Sequence, residues 1–183
     1  MLPIGPLMIE HRLIERMIQI MKVQLEKIQT ESKADSVQIE RIIHFVRTYA
    51  DRCHHGKEEE ILFRELGRKP VSSEHKRIME ELIDDHKLGR KITMSLLDAN
   101  QRYQRGDAAA LSAVADGLRS LVEFYPKHIQ KEDRNFFIPV MGYFSQEEKE
   151  AMIQKGYESD SRLFHQEYED LITELNRSRP SSP

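Results

Sequence analysis

Apolar residues recur along this chain in alternating steps of three and four, the spacing of helices with one face turned inward. The first run is Leu7, His11, Ile14, Ile18, Met21, Leu25 and Ile28. A second, over about 36–66, reads Ile39, Ile43, Val46, Ala50, His54, Glu58 and Ile61. A third carries Ile78, Leu82, His86, Gly89 and Leu96, and a fourth Leu111, Val114, Leu118, Leu121, Tyr125, His128 and Glu132. β-Branched alternation is almost absent, so the expected fold class is all-α.

Breaks fall where such helices need them. Residues 30–35 are polar, with Asp35 or Ser36 placed to cap the second helix. Gly67-Arg68-Lys69-Pro70 interrupts the chain, Ser72 or Ser73 caps the third helix, and Asp107 follows Gly106 as cap of the fourth. Pro126 is expected to bend that helix, and residues 139–142 end it. Ser145-Gln146-Glu147-Glu148 is a capping box that opens a fifth helix to about Asn176. The lengths and order predict an up-down-up-down four-helix bundle over residues 1–144. An additional C-terminal helix (145–177) packs on it and a flexible tail (178–183) follows.

Four inward positions are not apolar. His11, His54, His86 and His128 each sit on a seam. In an antiparallel bundle, the first-half placement of His11 and His86 and the second-half placement of His54 and His128 bring all four to one end. His54 and His128 are followed one turn later by Glu58 and Glu132, about 40° around the axis, so each pair can face one interior point. The two copies also align without a gap: both read His-x-x-Lys-Glu-acid, with Phe63 and Phe137 nine residues after the histidine. A lone buried histidine is ordinarily a hydrogen-bonded core residue, and one such acidic turn is ordinarily a solvated face. Four imidazoles at one level with two carboxylates are costly to bury without a cation.

The six donors, His11, His54, Glu58, His86, His128 and Glu132, suit two metals. Each metal takes two imidazole nitrogens and one oxygen from each bridging glutamate. An oxide or hydroxide bridge makes five ligands and leaves one position open. Nitrogen and oxygen donors without sulfur fit iron, with manganese or zinc as alternatives.

Neighbouring residues are assigned elsewhere. His55 shares helical spacing with Asp51, Arg52 and Glu59, a solvent face, so His54 is chosen over His55 and Glu58 over Glu59. Cys53 points about 100° away from His54 and is read as packing. His75 lies about 16 Å from His86 along the axis, too far to share a metal. His44 reads as surface. His165 is either surface or close to the site, with surface favoured. Tyr49 and Tyr125 are expected in the core with satisfied hydroxyls, a gating hydrogen bond near the centre being the other role.

Charge is balanced, 28 basic against 31 acidic residues, so neither nucleic acid nor a polybasic membrane anchor is indicated. One cysteine excludes an internal disulfide framework, and no stretch reads as a secretory signal or as about 18 uncharged apolar residues. The expected location is cytoplasmic.

The runs Met8-Ile9-Glu10-His11-Arg12, His54 to Phe63, Asp85-His86 and His128 to Pro139 resemble hemerythrin-like (HHE cation-binding) proteins over roughly residues 5–145. The resemblance implies a helical bundle with a non-haem di-iron centre at the six residues above, both glutamates bridging. Oxygen-carrying members have a further histidine four residues before His86, where this chain has Leu82. Four histidines and two glutamates are closer to the iron-cluster-repair members, many of which carry a cysteine-bearing N-terminal segment that is missing here. The leading functional expectation is binding of dioxygen, nitric oxide or peroxide at an open iron position, for sensing, storage or detoxification. The alternatives are an iron-donating, cluster-repair stress protein that contacts a client, and a metal-free helical interaction module. Enzymatic turnover is left open, and no catalytic residue is assigned.

Overall fold

In the computed structural model, which describes residues 2–160 and 162–177, all regular structure is helical. The expected tail, 178–183, lies outside the described residues. Helix α1 is Ile4–Glu31 and ends on Ser32, whose left-handed backbone (φ 52°) returns its N–H to the Ile28 carbonyl. Helix α2 spans residues 36–66, opened by the Asp35 carboxylate accepting from the Gln38 N–H at 3.1 Å. Helix α3 is Ser73–Gln104, capped by the Ser72 hydroxyl. Helix α4 spans residues 110–140; Asp107 sits just before it and accepts from the Ala109 N–H.

Consecutive long helices lie side by side, α1 on α2, α2 on α3 and α3 on α4, and α4 closes back on α1. No helix among the described residues is long and apolar enough to cross a membrane.

Two of these helices are not α-helical throughout. Val46–His55 and Glu58–Phe63 in α2, and Glu132–Phe136 in α4, are π-helical. The Gly56 N–H reaches back five residues to the Asp51 carbonyl, and Phe137 does the same to Glu132. A π turn takes up more chain than an α turn and is found most often at functional sites. Here it coincides with both copies of the histidine–glutamate motif.

The expected single fifth helix is two. Ser145 and Glu148 form the capping box of α5 (Gln146–Ser159), as the sequence predicts. The chain then turns extended at Asp160 (φ −90°, ψ 105°) before α6, Arg162–Arg177. Helix α5 rests on the second half of α2, and α6 lies along α1.

The apolar core is divided. One cluster contains Ile14, Ala50, Leu96 and Tyr125; the other contains Leu7, Leu62, Leu82 and Phe136. On every long helix the seam passes from one cluster to the other, and the crossing point is a buried histidine or glutamate. A polar layer therefore separates two dry halves, a placement that costs free energy unless its groups are matched.

Candidate metal centre

All six side chains chosen from the seams are buried in that layer, each no more than 2% exposed. Donor atoms of His11, His54, Glu58 and Glu132 lie within 4.8 Å of one another. So do those of Glu58, His86, His128 and His55. Glu58 is common to both groups, its Oε1 3.4 Å from His54 Nε2 and its Oε2 3.2 Å from His86 Nε2. Glu132 likewise reaches both sides, with Oε2 3.1 Å from His11 Nε2 and Oε1 3.4 Å from His128 Nε2. Each glutamate thus turns one oxygen toward each group.

His55 corrects the sequence reading. It is not on a solvent face but is 2% exposed, with its ring stacked on His86. The π-helical stretch that ends at this residue spreads successive side chains less around the axis, so His54 and His55 both face inward. Its Nδ1 stands 3.6 Å from Asp51, too long for a hydrogen bond.

What holds the other four imidazoles is a ring of carboxylates. His54 Nδ1 donates to Glu10 at 2.7 Å, and His86 Nδ1 to Glu59 at 2.7 Å. His128 Nδ1 donates to Asp85 at 3.4 Å, and His11 Nδ1 to Asp133 at 2.8 Å. The acid is in each case on the preceding helix, so α1 orients a ring of α2, α2 one of α3, α3 one of α4, and α4 one of α1. An ionised carboxylate only accepts, which keeps a proton on Nδ1 and leaves Nε2, turned toward the centre, as the nitrogen that can coordinate. Glu59 is therefore also corrected. Although partly exposed, it is a partner of His86 rather than a free surface acid.

Each acid has a cation behind it: Lys57 on Glu10, Arg90 on Glu59, Lys131 on Asp85 and Arg12 on Asp133. Stacking fixes the rings further, with Phe137 on His11, Phe63 on His86 and Phe124 on His128. The role of the repeated motif follows. Its first copy supplies Glu59 and Phe63 to His86; its second supplies Asp133 and Phe137 to His11. Gly89 leaves room for Phe124, since a Cβ there would stand 3.1 Å from that ring.

The electrostatics are those of a site short of positive charge. Burial disfavours a charged His11 or His86, yet Asp133 and Glu132 raise His11 to about 10, and Glu132, Glu58 and Glu59 raise His86 to about 11. Burial opposes ionisation of Glu132 too, but the surrounding imidazoles hold it well below the usual carboxylate range. His55 differs: burial, then His86 and His128, push it well below its ordinary value, so it stays neutral.

Among the described residues, the Nε2 atoms of His11, His54, His86 and His128, both oxygens of Glu58 and of Glu132, and both nitrogens of His55 are buried without a hydrogen-bond partner. Native proteins rarely leave such atoms unmatched. Here they converge, and a donor set of imidazole and carboxylate is what a first-row transition metal takes. The residues present fit a metal centre.

His44 is exposed and bonds Tyr168 at 3.2 Å, while His75 bonds Tyr143 at 2.9 Å, away from the centre. Tyr49 and Tyr125 are core residues; the Tyr49 hydroxyl meets His165 Nδ1 at 3.1 Å. His165 is half-buried, and its Nε2 lies 3.4 Å from Asp160, which also accepts from Lys57 and Cys53. Helical periodicity alone assigns Glu10, Lys57, Asp85 and Asp133 no role. Their signal was present: each of the four orienting acids is adjacent in sequence to a metal-directed histidine or glutamate.

An all-helical chain with imidazoles and carboxylates aimed at one buried point is a cation-binding protein of the helical class. The chain matches the hemerythrin HHE cation binding domain over residues 2–138 and belongs to that family. No curated protein and no solved structure matches it.

Proposed function

We propose that this protein holds two iron ions, bridged by Glu58 and Glu132, and binds dioxygen, nitric oxide or peroxide at an iron position the protein leaves free. The long helices are read as an up-down-up-down four-helix bundle over residues 1–144, with α5 and α6 appended. One iron takes His11 and His54, the other His86 and His128. His55 is added to the second, making five imidazoles in all. The observation that carries this reading is the convergence of unpartnered Nε2 and carboxylate atoms in a layer otherwise sealed by apolar side chains.

Two ferrous ions held by these residues would be able to give a small ligand up to two electrons, one from each ion. The chain's own residues do the rest. Glu10, Glu59, Asp85 and Asp133 keep each ring in the tautomer that coordinates. Leu7, Leu62, Leu82, Phe63, Phe136 and Phe137 exclude water from one side of the layer, and Tyr49, Ala50 and Tyr125 from the other. Leu82 is fully buried in apolar surroundings. It occupies the place where oxygen carriers have a histidine, and His55 on α2 supplies a fifth imidazole instead. The set is larger than the four histidines of the cluster-repair resemblance, which favours retention of iron over its donation.

The test is metal analysis of protein purified without added iron, followed by visible spectra of the reduced form exposed to dioxygen or nitric oxide. Two irons per chain and a stable adduct are expected. Loss of iron on exposure would favour donation to a client, and absence of metal would leave a helical interaction module.

A further inference from the structure

Helix α5 lies outside the matched 2–138 segment, yet it closes a narrow apolar slot against the metal-directed helices. The slot has a volume of about 30 Å³ and is walled by Leu7 of α1, Ile61 and Leu62 of α2, and Met152, Ile153 and Gly156 of α5. Leu7 precedes His11 by one helical turn on the same seam, and Leu62 follows Glu58 at the same four-residue spacing. Both leucines and Met152 are buried. The innermost wall of the slot is therefore the first apolar layer around the donors.

We propose that this slot is a docking site for a small apolar diatomic gas on its way to the metal centre. A space of this size holds one small molecule but suits water poorly, because a buried water needs two to four polar partners. Of the polar side chains that line it, Tyr157 is exposed at the rim, while Lys57 and Asp160 are bonded to each other at 2.5 Å and Lys57 is also bonded to Glu10. They offer an incoming water little. Dioxygen and nitric oxide need no such partners, whereas hydrogen peroxide does. The slot thus separates the candidate ligands by polarity before any of them meets a metal.

Gly156 makes the proposal testable. A Cβ built there meets nothing within 4 Å, so a larger side chain has room to enter the space. It sits within α5, where replacing glycine by alanine or leucine favours the helix by up to about 1 kcal/mol. The plug therefore does not threaten the fold. This inference rests on the proposed binding of a small ligand for its consequence, but not for the site itself, so two measurements are paired.

In crystals of the protein pressurised with xenon, density is expected between Leu62 and Met152 in the wild type and Gly156→Ala, and none in Gly156→Leu. In stopped-flow mixing of the ferrous protein, Gly156→Leu is expected to slow nitric oxide association severalfold at unchanged iron content. Its reaction with hydrogen peroxide should keep the wild-type rate. Absence of xenon from the wild-type slot overturns the proposal. So does an unchanged nitric oxide rate in Gly156→Leu, or an equal slowing with peroxide, which would report a general packing defect. If the iron-loaded wild type forms no adduct with either gas, the proposed function falls, and the xenon measurement alone decides the slot.

Discussion

His55 lies flat on His86, ring centroids 4.0 Å apart and planes inclined by 12°, with both side chains shut away from solvent. Two stacked imidazoles cannot both carry charge at low cost. His86 holds its proton to about 11, so His55 remains neutral with both nitrogens unpartnered. A neutral imidazole in that state is a metal ligand in waiting. His55→Ala is expected to cut metal content from two per chain to one, sparing the His11–His54 side. His54→Ala should strip the opposite position. Elemental analysis of the two variants checks this; full, wild-type-affinity loading of His55→Ala would return His55 to a packing role.

The orienting acids should matter equally for metal and unequally for the fold. Glu10→Ala leaves Lys57, a 5% exposed cation, with one carboxylate where it had two. Breaking a buried pair costs on the order of 3–5 kcal/mol, with the surviving Asp160 contact placing this case at the lower end. Asp133→Ala releases Arg12, which is exposed and turns to water, so the cost to the fold is that of leaving the buried His11 Nδ1 donor unpartnered, about 1–3 kcal/mol. Both should lower metal affinity by about 10–100-fold, because each frees the Nδ1 of a metal-directed histidine. Urea unfolding and chelator competition on the same two variants separate the effects.

Asp160 breaks the near symmetry of the two halves. Lys57 is clamped between Glu10 and Asp160, whereas its counterpart Lys131 remains partly exposed with Asp85 and Glu81. Asp160→Ala should therefore loosen the link from Lys57 through Glu10 to His54 and quicken release of that metal alone. Removal by a chelator is expected to become biphasic, with the slower phase at the wild-type rate. A single uniformly faster phase would mean that Asp160 stabilises the fold as a whole.

Loading should release protons. With folded values of about 10 and 11 against an ordinary 6.5, metal-free His11 and His86 are protonated at neutral pH. Each must give up the proton on Nε2 to coordinate. Metal uptake at pH 7 in weak buffer should acidify the solution by one proton from each, and apparent affinity should rise with pH. The same shifts stabilise the metal-free fold: this contribution is complete below 6.5 and disappears as pH rises through 10 to 11. Thermal melts of metal-free protein between pH 7 and 11 should show that decline.

The seams on which His11, His54, His86 and His128 lie were legible because apolar periodicity dictates which face of a helix is buried. Glu58 and Glu132 followed from their one-turn offset. His55 was not legible, because assigning faces at 100° per residue presumes an α-helix, and backbone bonds reaching five residues replace it there. Glu59 was missed for a related reason. Polar spacing shows that a side chain is near solvent, not that its carboxylate folds over onto a neighbouring helix. The break at Asp160 was hidden too, since neither proline nor a glycine marks that position. What fixes it is tertiary: Lys57, Cys53 and His165 all converge on its carboxylate.

The circuit of acids and imidazoles runs once around the molecule and returns to its origin. No helix in it is an anchor and none is a passenger, since each both steers and is steered. A shift of any one rod is felt by two others through these polar links. Such a loop makes affinity a property of the whole assembly, and a lesion far from the centre can still be read there as a lost ion.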